Sequence, residues 1–381
     1  VKPARLLAAL VVVAGLVVAA CGGNGGSGGD DQTLDIDTQV RLNEIQVMGT
    51  HNSYRIRTPE ALFSSLQETL PELMAELDYG HRPLDEQFTQ LGARQIELDV
   101  FADPDGGRYA IRSFNEQAGL PAEAPEPEMY EPGLKVLHTD GVDWASTCWT
   151  FVDCLTEVRD WSLANDTHLP IMILVEAKTP ITNDAGPFTA EDLATIDDEI
   201  RSVFDDDQVI TPDDVRGDAA TLRGAVTTTG WPTLAESRGK VMFALDNGGE
   251  VRDAYIEGTP NLEGRMMFAT MASTDAPGAA FFKENNPTGE NLSRIQDLVD
   301  QGFLVRTRSD SPGDQAVTND RTQLEAALAS GAQFVSSDYL EPDLNFSPYV
   351  AALPESGVAR CNPVNAPPVC DSRELDRDLP Q

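Results

Sequence analysis

The chain has 381 residues, and its 27 Lys and Arg stand against 63 Asp and Glu, a formal net charge of −36. That balance favours solubility and argues against a polyanion-binding surface such as one for nucleic acid. It also makes long-range approach to anionic lipid unfavourable unless salt or a bound cation intervenes.

At the N-terminus Lys2 and Arg5 precede an apolar run over 6–20 that is short for a bilayer span and ends in small residues. Val18-Ala19-Ala20-Cys21 resembles the lipobox of a bacterial lipoprotein, which implies cleavage before Cys21 and lipidation of that cysteine. An ordinary cleaved signal with an incidental cysteine is the plainer alternative. "GGNGGSGGDDQ" follows and reads as a flexible tether.

About 340 residues remain, long for one domain but ordinary for an α/β barrel with insertions. Short β-branched runs over 44–50, 94–100, 134–138, 170–176, 240–246, 265–270, 303–308 and 333–338 predict eight strands. Helical signals lie between several of them. Thr58-Pro59-Glu60 opens one helix, with Pro71 as a break or kink. Thr189 and Asp192 form a capping-box-like start, and Leu193, Ile196, Ile200, Val203 and Phe204 mark one helical face. The Ala-rich stretch over 320–331 is another helix, stopped by Gly331. Alternating strands and helices suggest a single parallel (β/α)8 TIM-like barrel over 41–350. A signal segment over 1–20 and a tether over 21–40 precede it, and a disulfide-containing tail over 351–381 follows.

Besides Cys21 there are four cysteines. In an exported chain the local pairing, Cys148–Cys154 and Cys361–Cys370, closes the shortest loops and is the expectation. A zinc site is rejected because neither pair has CxxC spacing and no histidine lies near the second.

In such barrels chemistry sits at the C-terminal ends of the strands. Those ends carry His51-Asn52, Glu97 and Asp99, His138, Glu176 with Lys178, Asp246, Arg306 and Arg308, and Asp338-Tyr339. Glu97 and Asp99 are two apart, so both point to one side of their strand and repel unless a proton or cation intervenes. With Asn52 and Glu176 they make an all-oxygen set suited to calcium or magnesium. A salt-bridged network with Arg94, Lys135 and Lys178 is the bland reading of the same carboxylates. His51 and Asn52 are adjacent and cannot both face inward on a regular strand, so one must already have turned into the loop. Two rim histidines, His51 and His138, can serve as base and acid near neutral pH. His81 and His168 fall toward the other end and read as structural.

"GTHNSY", "ARQIELDVFADPDGG", "KVLHTDGVDWASTCWTFVDCL", "LPIMILVEAK", "GWPTLAESRGKVMFALDN", "LVRTRSD", "GAQFVSSDY" and "ARCNPV" together resemble the bacterial calcium-dependent phosphoinositide phospholipase C family, from about Ile45 to the C-terminal cysteines. The resemblance implies a calcium held by Asn52, Glu97, Asp99 and Glu176, with His51 and His138 flanking the scissile phosphate. The inositol 2-hydroxyl would attack the neighbouring phosphodiester, an intramolecular step that gains proximity, to give diacylglycerol and inositol 1,2-cyclic phosphate. Lys178, Arg306 and Arg308 would offset excess negative charge, and Asp246 and Tyr339 would meet the inositol ring. Arg55 stands where the family commonly carries another histidine; if it touches substrate, headgroup preference is altered.

The partner expected is phosphatidylinositol or a related inositol phosphodiester, met by a monomer anchored through lipid in the cell envelope. Rival readings are a glycerophosphodiester phosphodiesterase, a sphingomyelinase-D-like enzyme, or a surface lipoprotein that only binds ligand. Trp144, Trp149 and the pair Phe281-Phe282 are candidates for lipid contact near the rim, with packing as the plainer role for most of them.

Overall fold

The computed structural model describes residues 35–311, 313–354 and 357–375. The expected signal segment, Cys21 and the Gly-rich stretch lie outside them. Ile36 and Val40, which fall in the segment read as tether, are buried in the core instead. Among the described residues no helix is long and apolar enough to cross a membrane.

The strands are β1 (Ile45–Thr50), β2 (Gln95–Phe101), β3 (Lys135–Val136), β4 (Ile171–Ala177), β5 (Val241–Leu245), β6 (Met267–Ala269), β7 (Phe281–Lys283), β8 (Leu304–Arg308), β9 (Phe334–Ser337) and β10 (Ala359–Cys361). Eight of them pair in parallel in the order β6-β5-β4-β2-β1-β9-β8-β7. A single parallel bridge, Thr270 to Phe281, joins the two ends. The result is a nearly closed α/β barrel of TIM type.

Two expected strand assignments change. The segment over 134–138 yields only β3, which runs antiparallel to β2 through Val100↔Val136 and Phe101↔Lys135. It cannot enter the barrel because β2 pairs directly with β4 over six registers, from Gln95↔Met172 to Val100↔Ala177. The missing barrel strand is β7, three residues long and parallel to β8. Phe281 and Phe282 are therefore buried wall residues rather than lipid contacts.

Local signals explain the rest of the layering. Thr189 and Asp192 close the expected capping box on the helix Ala190–Val203, whose Leu193, Ile196, Ile200 and Val203 are buried. Burying four such side chains contributes roughly 1.5–3 kcal/mol each. The helix Glu60–Gln67 ends before Leu70, and Pro71 opens a second helix, Pro71–Glu76. Where β1 meets β2 through Gly49↔Gln95, a Cβ on residue 49 would come 2.5 Å from Gln95 Cβ, so only glycine permits that register.

The tail returns as β10, antiparallel to the start of β1 with Ile45 opposite Cys361. Both disulfides take the expected local pairing, Cys148–Cys154 and Cys361–Cys370. Chain-entropy arguments assign loops of this size about 2–3 kcal/mol each. Two disulfides point to an extracytoplasmic compartment.

Candidate active site

β1 delivers His51 and Asn52 to the rim, and the chain turns there. Asn52 has φ 48°, the left-handed conformation that asparagine tolerates better than most residues. That turn lets both neighbours face the mouth, as the strand geometry required. His51 stays in register, its N–H donating to the Ser337 carbonyl at 3.1 Å.

The His51 Nδ1 lies 2.8 Å from Asp338 Oδ1. Asp338 Oδ2 accepts from Arg308 Nη2 at 2.7 Å. Burial would raise the Asp338 carboxyl, but Arg308 and His51 hold it well below the usual range. For His51 itself, burial and then Arg308 push the imidazole well below its ordinary value, so it is neutral at pH 7. A carboxylate facing Nδ1 fixes the proton there, leaving the Nε2 lone pair toward the mouth. Arg308 Nη1, a donor, lies 3.4 Å from Nε2, in keeping with that tautomer.

The second histidine has a matching arrangement. His138 Nδ1 is 2.9 Å from Asp143 Oδ2. Arg55 grips the same carboxylate with Nε at 2.5 Å and Nη2 at 3.0 Å, and Thr58 Oγ1 adds 2.8 Å. Burial would raise the Asp143 carboxyl, yet Arg55 and His138 bring it down to about 2. Arg55 is fully buried, also donating to the carbonyls of Tyr79 and Leu77 and lying 4.3 Å over the Tyr79 ring. It holds the rim loop together and, being fully buried, is not placed to meet a headgroup.

Beside the first pair, with Glu97 Oε1 3.6 Å from His51 Nε2, Glu97, Asp99 and Glu176 bring candidate ligand oxygens within 4.8 Å of one another. Glu97 and Asp99 are buried, Glu176 half-buried. Burial, partly opposed by Arg306 and reinforced by Asp246 and Glu176, pushes Glu97 up to about 7. Asp99 is raised by burial against the pull of Lys178, with Glu176 and Glu97 adding repulsion. Asn52 Oδ1 and Asp99 Oδ1 are buried without a hydrogen-bond partner. Orphaned hard oxygens beside mutually repelling carboxylates fit a hard divalent cation of the calcium type.

The other expected site residues divide. Lys178 Nζ lies 3.1 Å from Asp99 and 3.2 Å from Glu176. Burial alone would lower its ammonium's pKa, but those carboxylates raise it well above the ordinary value. Arg306 donates to Glu97 at 2.5 Å, Asn285 at 2.6 Å and Ser336 at 2.8 Å. Asp246 is paired with Lys283 from β7. Tyr339 packs against Tyr79 and Tyr349, with ring centroids at 6.4 and 6.1 Å, and lines a cavity of about 200 Å³ beside Asp338.

Of the bland salt-bridge network, only Lys178 touches the acidic set. Arg94 donates to the Phe88 and Ala93 carbonyls, and Lys135 pairs with Asp103. His168 is structural, bonded to Ser162 and the Leu169 carbonyl. His81 is not remote as expected: its Nε2 is 2.8 Å from the His51 carbonyl oxygen, so it supports the rim backbone. Trp144 and Trp149 are half-buried, and the guanidinium of Arg112 lies 3.5 Å over the first ring and 5.3 Å from the second, a packing role. Sequence reasoning missed Asp143, Tyr79 and Lys283. The spacing of Asp143, five residues after His138, was the one available signal.

A model of the family described as phosphoinositide phospholipase C, Ca2+-dependent, matches residues 40–363. Among solved structures, the calcium-dependent phosphoinositol-specific phospholipase C of a Pseudomonas species, in a myoinositol complex, is 17% identical with a TM-score of 0.50. The match covers 85% of this chain and 96% of that one. A Ca2+-dependent phosphatidylinositol-specific phospholipase C from Streptomyces antibioticus is 20% identical, TM-score 0.49, covering 79% of this chain and 95% of that one. No curated protein matches.

Proposed function

The chain belongs to the Ca2+-dependent phosphoinositide phospholipase C family, a family of phosphodiesterases, and we propose that it cleaves phosphatidylinositol or a related inositol phosphodiester to inositol 1,2-cyclic phosphate and a free alcohol, diacylglycerol in the lipid case. The observation that carries this reading is the pair of His–Asp dyads at one rim with the orphaned oxygen set of Asn52 and Asp99 beside them.

In this reading Asn52, Glu97, Asp99 and Glu176 hold calcium. When bound, it supplies Lewis-acid assistance to the inositol 2-hydroxyl and stabilises charge developing on the phosphoryl oxygens. His51, neutral, takes the proton of the 2-hydroxyl on Nε2; Asp338 steadies the imidazolium that forms. Attack by the neighbouring hydroxyl needs no bound water as nucleophile. His138, oriented by Asp143, gives its proton to the departing alkoxide. Lys178 offsets the carboxylate charge that would otherwise repel a phosphodiester.

Arg306 and Arg308 hold Glu97 and His51–Asp338 in place, and Arg308 is the nearer of the two to His51. The Asp246–Lys283 pair offers an acceptor and a donor to inositol hydroxyls, with Tyr339 closing the far wall of the His51 dyad. An N-terminal lipid anchor at Cys21 would hold the barrel at a membrane.

Products test the reading against its rivals. Diacylglycerol with cyclic inositol phosphate supports it; glycerol 3-phosphate or a cyclic ceramide phosphate supports a different phosphodiesterase, and calcium or inositol binding without turnover supports a binding protein.

A pH dependence follows from Glu97. Its proton must leave before calcium binds, and without metal it leaves near pH 7. Asp99, raised as well, adds its proton to the competition, so apparent calcium affinity falls as pH is lowered through about 7. Metal-free stability runs the opposite way. A carboxyl raised in the folded state favours the protonated fold, so its contribution is lost as pH rises from the ordinary glutamate value through about 7. Calorimetric titrations from pH 5.5 to 8.5 check this, and an unchanged affinity at pH 5.5 would contradict it.

A further inference from the structure

The turn that carries His138 is closed on itself: the His138 N–H donates to the Asp143 carbonyl at 3.2 Å, and the Asp143 N–H to the Thr139 carbonyl at 2.9 Å. One end is gripped through Asp143 by Arg55 and Thr58. The other end is held by Asp140, which is 3% exposed. Its Oδ1 accepts the Ile181 N–H at 2.7 Å, and its Oδ2 accepts the Thr182 N–H at 2.7 Å and the Thr182 hydroxyl. Ile181 and Thr182 lie in the loop that leaves β4 just after Glu176 and Lys178.

The start of that loop is held to its neighbouring strands, while Ile181 and Thr182 themselves are exposed. The Lys178 N–H donates to the Val100 carbonyl at 2.9 Å, and the Asn247 side chain bonds both the N–H and the carbonyl of Ala177, at 2.7 and 3.0 Å. The two segments also touch closely. Gly141 has φ +77°, and a Cβ there would lie 2.8 Å from Thr182 Cγ2. Asp140 makes no contact with His138 itself among its hydrogen bonds, so its effect is exerted through the backbone.

We propose that Asp140 is a positioning residue: by strapping the His138 turn to the Ile181–Thr182 loop, it sets where the proton donor stands relative to the carboxylates of β2 and β4. This rests on His138 being the acid that protonates the leaving oxygen. A small displacement of a proton donor costs far more in rate than the lost hydrogen bonds cost in binding. The cost appears only when the leaving group needs the proton.

The test uses the purified protein in calcium with two substrates sharing one inositol phosphate headgroup. One is phosphatidylinositol, whose alkoxide must be protonated; the other carries a p-nitrophenyl group, which departs as a stable phenolate. Asp140→Asn and Asp140→Ala are expected to lower kcat on phosphatidylinositol about 10- to 100-fold while changing the aryl substrate by no more than about threefold, with His138→Ala giving a larger split in the same direction. Thr182→Val, which removes one hydroxyl bond and leaves both backbone bonds, gives a smaller split and keeps the proposal open to test if Asp140 variants misfold. Equal loss on both substrates, or no loss on either, overturns the strap. Wild-type protein that turns over neither substrate overturns the reading beneath it, and is seen without any variant.

Discussion

His51→Ala lowers kcat/KM on phosphatidylinositol by about 10³-fold, within the range for losing a positioned general base, while calcium binding and the fold persist. The structure gives the reason for both halves. The His51 imidazole is kept neutral by burial and Arg308 and oriented by Asp338 at 2.8 Å on Nδ1. Deleting the imidazole does not orphan a buried charge, because Asp338 keeps Arg308 at 2.7 Å. Neither His51 nitrogen belongs to the oxygen set of Asn52, Glu97, Asp99 and Glu176. Steady-state kinetics across a calcium titration separates the effects: kcat collapses and the calcium midpoint stays. A variant within about tenfold of wild type would remove His51 from proton transfer.

Asp99→Asn has the second large effect, and its two signs make it diagnostic. Asp99 is fully buried; burial, reinforced by Glu176 and Glu97 against the pull of Lys178, raises its pKa, and its Oδ1 has no hydrogen-bond partner. Replacing it with a neutral amide relieves repulsion, so the metal-free variant melts at or above the wild-type temperature in chelator. The same change removes a proposed ligand, so calcium is expected to cease to stabilise. For wild type at a hundredfold excess over Kd, that stabilisation is about 2.7 kcal/mol. Turnover falls by about 10²- to 10³-fold, the scale of losing transition-state charge stabilisation. Thermal melts in calcium and in chelator read both signs, and a variant that still gains as much from calcium as wild type contradicts the ligand assignment.

Much of this site was legible because strand ends concentrate chemistry and period-two alternation fixes which carboxylates share a face, as with Glu97 and Asp99. The adjacency of His51 and Asn52 even forced a turn, which Asn52 makes at φ 48°. What stayed hidden depended on long-range partners. Phe281–Lys283 is too short to show alternation, and the β3 segment looks like any strand until β2 and β4 are seen paired across the place it would fill. Arg55 after "THNSY" reads as a residue that could meet the headgroup, because only the folded chain brings Asp143, 88 residues on, against it. His81 was misplaced for the same reason: its partner is the carbonyl of His51, 30 residues earlier.

The most direct test of the account is ³¹P NMR of phosphatidylinositol incubated with the purified protein, in calcium and in chelator. The account predicts conversion of the phosphodiester resonance to the downfield five-membered cyclic phosphate in calcium, with none in chelator. A folded, calcium-binding protein that leaves the lipid resonance unchanged, or that forms an acyclic phosphate with no cyclic species at any time, would contradict it.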